Sequence, residues 1–237
     1  VKLTTIGDEA FYDTRFTEID LPETLTYIGE GAFSYVPLTS ITIPGAVNTI
    51  GADAFYDCDS LTSVTFQPSQ TMTPLNIGYT ISASDANGPF YYSPLTTINL
   101  DRELVLTDAE GNPFTPNDWA EGLFANEHYG NEDNQNQGVS VTIGEQVKTI
   151  SDYMFAQLNL QSITIPASVT SVGLNAFIDC DDLNTVVFEE GDTPLKIDAQ
   201  YIISSVTYWG PFYDSPLTSI TLGREIEYVK EDGTKYT

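Results

Sequence analysis

His128 is the only histidine among the 237 residues, and that scarcity bounds the chemistry open to the chain. Nucleophilic triads and zinc sites generally need an imidazole set among partners. His128 stands in Asn126-Glu127-His128-Tyr129-Gly130-Asn131-Glu132-Asp133, a polar stretch that reads as a solvated loop. The two cysteines, Cys58 and Cys180, have no neighbouring histidine to lower a thiol pKa, so neither reads as a nucleophile. The strings G-x-S-x-G, H-E-x-x-H, G-x-G-x-x-G and the P-loop pattern are all absent. The 34 Asp and Glu residues could supply the carboxylate pair of a glycoside hydrolase, but no spacing singles a pair out. Asp133-Asn134-Gln135-Asn136-Gln137-Gly138 has oxygen ligands to offer Ca²⁺, yet it lacks the alternation and the bidentate Glu of an EF-hand. We therefore expect no catalytic residue, no metal and no cofactor.

The net charge of −26, from 8 basic and 34 acidic residues, disfavours nucleic acid and anionic membrane surfaces. It leaves cationic partners open. Hydrophobic residues make up 41% and aromatics 12%, more than a disordered chain carries. No run of about 18 apolar residues exists, so no transmembrane helix and no membrane insertion are expected. The chain opens at Val1-Lys2-Leu3 without a signal peptide, and we read it as a mature segment or part of a longer protein.

Repetition organises the rest. Gly88-Pro89-Phe90-Tyr91 returns as Gly210-Pro211-Phe212-Tyr213, an offset of 122 residues that also relates Ile28 to Ile150, Phe55 to Phe177 and Cys58 to Cys180. Within each copy runs a beat of 22, as from Phe11 to Phe33 to Phe55. Ile or Val stands five before most of these phenylalanines, and Gly often follows it (Gly7, Gly29, Gly51, Gly173). Such a Gly suits a positive φ or a close backbone approach. The next few residues, with acids Asp8, Glu30, Asp53 and Asp152, predict a short helical turn with a favourable N-terminal charge. Beyond each Phe comes an L-x-x-I-x-I segment such as Leu38-Thr39-Ser40-Ile41-Thr42-Ile43, whose alternation predicts a strand with one buried face. Pro22, Pro44 and Pro166 end strands at corners. A 22-residue unit cannot bury its own apolar side, whereas stacked units can.

The fold class expected is thus a repeat solenoid of about eight coils, each with one short parallel strand and one short helical turn. Residues 1–237 form one domain of two tandem super-repeats, about 1–114 and 115–237. Coils separate Cys58 from Cys180 too widely for a disulfide, whose Cα atoms lie within about 7 Å. Their column also holds Thr14, Val36, Ser93, Leu158 and Ser215, and reads as a small buried packing position. The long intervals Phe55–Phe90 and Phe177–Phe212 carry bulges around Leu75-Asn76-Ile77 and Leu195-Lys196-Ile197, while Leu106 to Trp119 reads as an irregular, hairpin-like excursion.

Two constellations could bind a partner. The outward strand positions Ser40, Thr42, Ser63, Thr65, Thr97, Asn99, Ser162, Thr164, Thr185, Ser219 and Thr221 make a nearly uncharged hydroxyl face. Thr also suits any exposed strand, so this face is what simple solvation would select too. The second is a set of aromatics on irregular segments, Trp119, Tyr129, Tyr208 and Trp209, with Tyr79, Tyr91, Tyr92 and Tyr213 near them in sequence. Tyr and Trp serve as recognition hot spots and stack on sugars, and they equally fill bulged coils.

Leu38-Thr39-Ser40-Ile41-Thr42-Ile43-Pro44, then Val47, Ile50 and Gly51, then Ala54, Phe55 and Cys58, closely resembles the BspA-type leucine-rich repeat. The resemblance covers nearly the whole chain. It implies a right-handed solenoid, a secreted or cell-surface bacterial protein, and adhesion or recognition of host or bacterial proteins, with no catalytic motif to carry over. We expect a monomeric, non-enzymatic protein-binding module. A glycan-binding module working through the loop aromatics, or a structural spacer, are the other readings.

Overall fold

The computed structural model describes residues 2–81, 86–108, 111–113, 122–125, 138–198, 202–203, 206–207 and 210–229. Two parallel ladders run through the coils, where the repeat pattern predicted one strand per coil. The first gathers the V-x-x-I columns: Thr5–Ile6, Tyr27–Ile28, Thr49–Ile50, Leu75–Gly78 and Leu104–Thr107 pair in that order. Thr149–Ile150, Ser171–Val172, Leu195–Asp198 and Ile226–Val229 do the same in the second super-repeat. The second ladder is the expected L-x-x-I-x-I set. Ser40–Ile43, Ser63–Phe66, Thr97–Leu100 and Ser140–Ile143 form one sheet, and Ser162–Ile165, Thr185–Phe188 and Ser219–Leu222 another. This counts seven such strands among the described residues rather than one in each of eight coils, because Glu18–Asp20 form no strand.

The predicted helical turn is absent among the described residues, and its replacement explains how coils join. Residues two before and two after Phe11, Phe33, Phe55, Phe155 and Phe177 take positive φ: Glu9 and Asp13, Gly31 and Tyr35, Asp53 and Asp57, Tyr153 and Gln157, Asn175 and Asp179. A left-handed residue interrupts the i→i−4 helical ladder and points the following peptide outward. The N–H groups of Glu9, Phe11 and Asp13 therefore donate to the carbonyls of Glu30, Ala32 and Ser34 in the next coil. Those of Ala10, Tyr12 and Thr14 fold back onto Gly7, Glu9 and Phe11. The same alternation recurs around Phe33 and Phe155. Acids stand here for another reason than a helix dipole. Asp and Asn tolerate the left-handed region. Asp8 and Asp152 also reach across, accepting from the N–H of Glu30 at 3.1 Å and of Leu174 at 2.8 Å. Of the two roles open to the repeat glycines, close approach is the one used at Gly29, Gly51 and Gly173: a Cβ on Gly51 would lie 2.5 Å from the Glu30 nitrogen, and its φ is not positive.

Inside, the Phe column stacks without interruption. Successive ring centroids from Phe11 through Phe33, Phe55, Phe90, Phe124, Phe155 and Phe177 to Phe212 are 5.1–5.8 Å apart. Each such pair adds roughly 0.5–1.5 kcal/mol beyond the area it buries. The long coils keep the path as expected, since Asn76 and Ile77 pair with Thr49 and Ile50. Their extra residues include short antiparallel pairs, Thr80–Ile81 with Ala86–Asn87 and Ile202–Ile203 with Val206–Thr207. The excursion begins later than Leu106, because Leu104–Thr107 is a regular ladder strand. Beyond it Thr107 bridges Pro113, and the Asp108 carboxylate takes the Asn112 N–H at 2.7 Å.

Two arginines lie in the core. Arg102 is 1% exposed. Its Nη1 donates to the carbonyls of Gly45 and Val47 at 3.3 and 2.7 Å, and its Nη2 to Thr73 at 2.9 Å. Arg224, at the same place in the second copy, binds Ala167, Val169 and Pro166 at 3.1, 2.6 and 2.8 Å. Each guanidinium thus reaches past the long coil to a corner 55–58 residues earlier, and burial lowers both pKa values. Arg102→Met leaves buried carbonyls without donors, at about 1–3 kcal/mol each, partly offset by relief of a desolvated charge. We expect a net loss of about 2–4 kcal/mol by urea denaturation, and little rescue by Arg102→Lys, since an ammonium cannot fork as a guanidinium does.

Candidate functional site

The second ladder assembles the hydroxyl positions into two rows. Ser40, Ser63, Thr97 and Ser140 are direct register partners, as are Thr42, Thr65, Asn99 and Thr142. In the second super-repeat Ser162, Thr185 and Ser219 form one row, and Thr164, Val187 and Thr221 the other. Parallel pairing in register places like residues side by side, so a column in the sequence becomes a stripe on the surface. Their inward neighbours Ile41, Val64, Ile98, Ile163 and Val186 are buried. Asn99 Nδ2 donates to Thr65 Oγ1 at 3.2 Å, and the hydroxyls of Ser40, Thr42, Ser162 and Thr164 face solvent. No charged side chain belongs to these rows.

A seam crosses the molecule close to the join of the super-repeats, where the first ladder breaks after Leu104–Thr107 and the second after Ser140–Ile143. Neither ladder is continuous there. Leu104–Thr107 does not pair with Thr149–Ile150, nor Ser140–Ile143 with Ser162–Ile165. Contact is kept by the Phe124–Phe155 stack, a Val139–Leu160 bridge, and the Glu103 carboxylate, which accepts the N–H groups of Lys148 and Thr149. On the hydroxyl face the seam opens into a concavity of 540 Å³ lined by residues that include Ser140, Thr142, Ser162, Thr164, Gln161 and Glu189. Val141, on its wall, is half-buried where Ile41, Val64, Ile98, Ile163 and Val186 are covered. A second concavity, of 610 Å³, sits at the other end of the same face against Glu18, Asp20, Ser40, Thr42 and Gln67. Among the described residues no cluster of three or more His, Cys, Asp or Glu is placed to hold a metal, and no helix is long and apolar enough to cross a membrane.

Trp119, Tyr129, Tyr208, Trp209 and His128 lie outside the described residues. Of the other aromatics singled out in the sequence, Tyr79 and Tyr91 are buried and Tyr92 is half-buried. A different aromatic array was missed. Tyr12, Tyr35, Tyr56 and Tyr92 line up across four coils with ring centroids 5.4–5.5 Å apart. The signal was a Tyr one or two residues after Phe11, Phe33, Phe55 and Phe90.

The family model for the BspA type leucine rich repeat region matches residues 4–104 and 133–232, in six copies. The chain belongs to this family. No curated protein matches it. Among solved structures, a leucine-rich repeat protein from Bacteroides ovatus is similar at 18% identity and a TM-score of 0.47, covering 97% of this chain and 55% of that one. A leucine-rich cell surface protein from Faecalibacterium prausnitzii shares 18% identity, with a TM-score of 0.35 over 92% of this chain and 57% of that one. The pneumococcal vaccine antigen PcpA shares 16% identity, with a TM-score of 0.34 over 97% and 66% of the two chains. The leucine-rich repeat chain therefore spans between half and two thirds of the length of these relatives.

Two features of the repeat yield measurable consequences. Cys58 and Cys180 are free and buried, and burial pushes both thiols up to about 12. Their sulfurs lie 3.1 and 3.2 Å from the carbonyls of Phe33 and Phe155, the bond that Ser93 and Ser215 make to Phe55 and Phe177. Iodoacetamide at mildly alkaline pH should leave the native chain unmodified and alkylate both cysteines after unfolding, as read by intact mass. Asp53 is half-buried, and burial raises its carboxyl above 3.8 although the Thr80 hydroxyl, donating at 2.6 Å, lowers it. A carboxyl raised in the folded state opposes folding once ionised, so the penalty is full above the raised folded-state pKa, fades as pH falls from there towards 3.8, and is gone below it. Asn175 holds the matching position with the same φ of 53°. Asp53→Asn should therefore raise the melting temperature at neutral pH and bring no gain in acid.

Proposed function

We propose that the chain is a non-enzymatic recognition module of a secreted or surface-anchored bacterial protein, binding a host or bacterial protein through its hydroxyl face. The seam concavity carries this reading. It combines exposed Ser and Thr with a half-covered Val141, bounded by two strand edges that do not pair with each other. Unpaired strand edges offer main-chain donors and acceptors, and hydroxyls add hydrogen bonds without a charge to desolvate. Membership of the leucine-rich repeat family supports a protein-interaction role. The chain acts as one unit in this proposal, because one wall of the concavity, Ser140–Ile143, pairs back onto Thr97–Leu100 of the first super-repeat and the Phe stack runs beneath both walls.

Binding of the fluorescently labelled chain to cultured epithelial cells tests it. Thr164→Arg, projecting into the concavity, should reduce binding at least tenfold, while Asn48→Arg beside the first ladder should not. Trypsin treatment of the cells should abolish binding and glycosidase treatment should spare it. Loss on glycosidase alone would move the assignment to a glycan.

A further inference from the structure

The tyrosine array lies on the turn side of the coils, away from both ladders. Tyr12 and Tyr35 are 51% and 41% exposed, and Tyr56 and Tyr92 are half-buried. Adjacent rings meet edge to face, at 69° for Tyr12–Tyr35 and Tyr35–Tyr56 and 67° for Tyr56–Tyr92. Three such steps make a track roughly 16 Å long, the length of about five residues of extended chain.

The fold does not require this track. The Phe stack beneath it continues through Phe155, Phe177 and Phe212. Above those rings the matching positions hold Ala156 and Gln157, Ile178 and Asp179, then Tyr213 and Asp214. The scaffold columns were kept in both super-repeats, while the aromatic surface occurs in the first alone. Packing does not account for that difference.

Charge selects the occupant. Asp53 and Asp57 act electrostatically on Tyr35, and Asp57 on Tyr56, both raising the phenol pKa after the larger effect of burial. Tyr56 reaches about 12, so its hydroxyl stays neutral at physiological pH. Asp13 stands beside the first ring in sequence, paired with Arg15 at 3.7 Å, and both are exposed. Electron-rich ring faces in a negative field attract guanidinium groups, through cation–π contact and through the acids around them. An acidic peptide would be repelled.

We propose that Tyr12, Tyr35, Tyr56 and Tyr92 form a docking track for an extended, arginine-bearing peptide segment of a protein partner. The arginines lie over the tyrosine rings, and Asp57 and Asp53 supply the complementary charge. The track is separate from the hydroxyl face, so either can fail without the other.

The test is fluorescence anisotropy of a labelled peptide of alternating Gly and Arg, beside the same peptide with Glu for Arg and beside labelled cellohexaose. The Arg peptide should bind and the Glu peptide should not. The double variant Tyr12→Ser with Tyr35→Ser should weaken binding at least tenfold with an unchanged circular dichroism spectrum, while Tyr35→Phe keeps it. Both leave the net charge at −26, so a merely electrostatic association would not respond. Tyr228→Ser, at an exposed tyrosine of the first ladder, and Thr164→Arg at the seam should bind as the parent does. Undiminished binding by the double variant, no binding by the parent, or tyrosine-dependent binding of cellohexaose in place of the peptide would each overturn the proposal.

Discussion

Around Phe11, Phe33, Phe55, Phe155 and Phe177 alternate N–H groups are turned out of their own coil and given to the next. That alternation is the constraint on which the stack rests. It requires a left-handed residue on either side of the ring, at a conformational cost of about 1 kcal/mol or more for most side chains. The return is a third line of inter-coil hydrogen bonds, added to the two parallel ladders, along the side where the Phe rings would otherwise be the sole contact. A regular helical turn would have satisfied those N–H groups internally and left neighbouring coils joined by packing alone. The coils are thus bonded on three sides, and the phenylalanine column sits inside that frame at ring spacings close to the strand spacing.

The columns themselves were legible. Phe at a beat of 22, Ile-x-Ile alternation and proline corners need only side-chain polarity and branching to be read, and they placed the second ladder and the buried cysteine column. The first ladder was not legible as strand, because in most coils it is two residues long, too short for any alternation to show. Backbone handedness was hidden for a different reason. Asp, Asn, Tyr and Gln all occupy the left-handed positions, so no single residue type announces them. Of the acids read as helix-favouring, Asp53 alone takes positive φ, while Asp8 and Asp152 accept N–H groups of the next coil.

The candidate surfaces divide in the same way. The hydroxyl rows follow from strand alternation and were named residue by residue. The seam does not, since Val147 and Ile150 continue the column through it in correct register. Its existence depends on strand pairing between coils, which composition does not encode. The tyrosine track lay in plain view at one or two residues past each Phe, but the wavering offset disguised it. Only the geometry shows that both offsets bring the ring to one line. Buried arginine was overlooked because an isolated Arg ordinarily reads as surface.

Those two arginines also bear on how such a chain can grow. Coils of 22 residues look interchangeable, and a stack of them offers many nearly equivalent registers. Arg102 and Arg224 remove the equivalence, because each fits only where a corner 55–58 residues upstream presents its carbonyls. Deleting or inserting one coil within that span would strand a cation in the interior. A stretch copied with these contacts intact must therefore hold both the arginine and its corner, 55–58 residues apart, and the 122-residue offset of the repeat does.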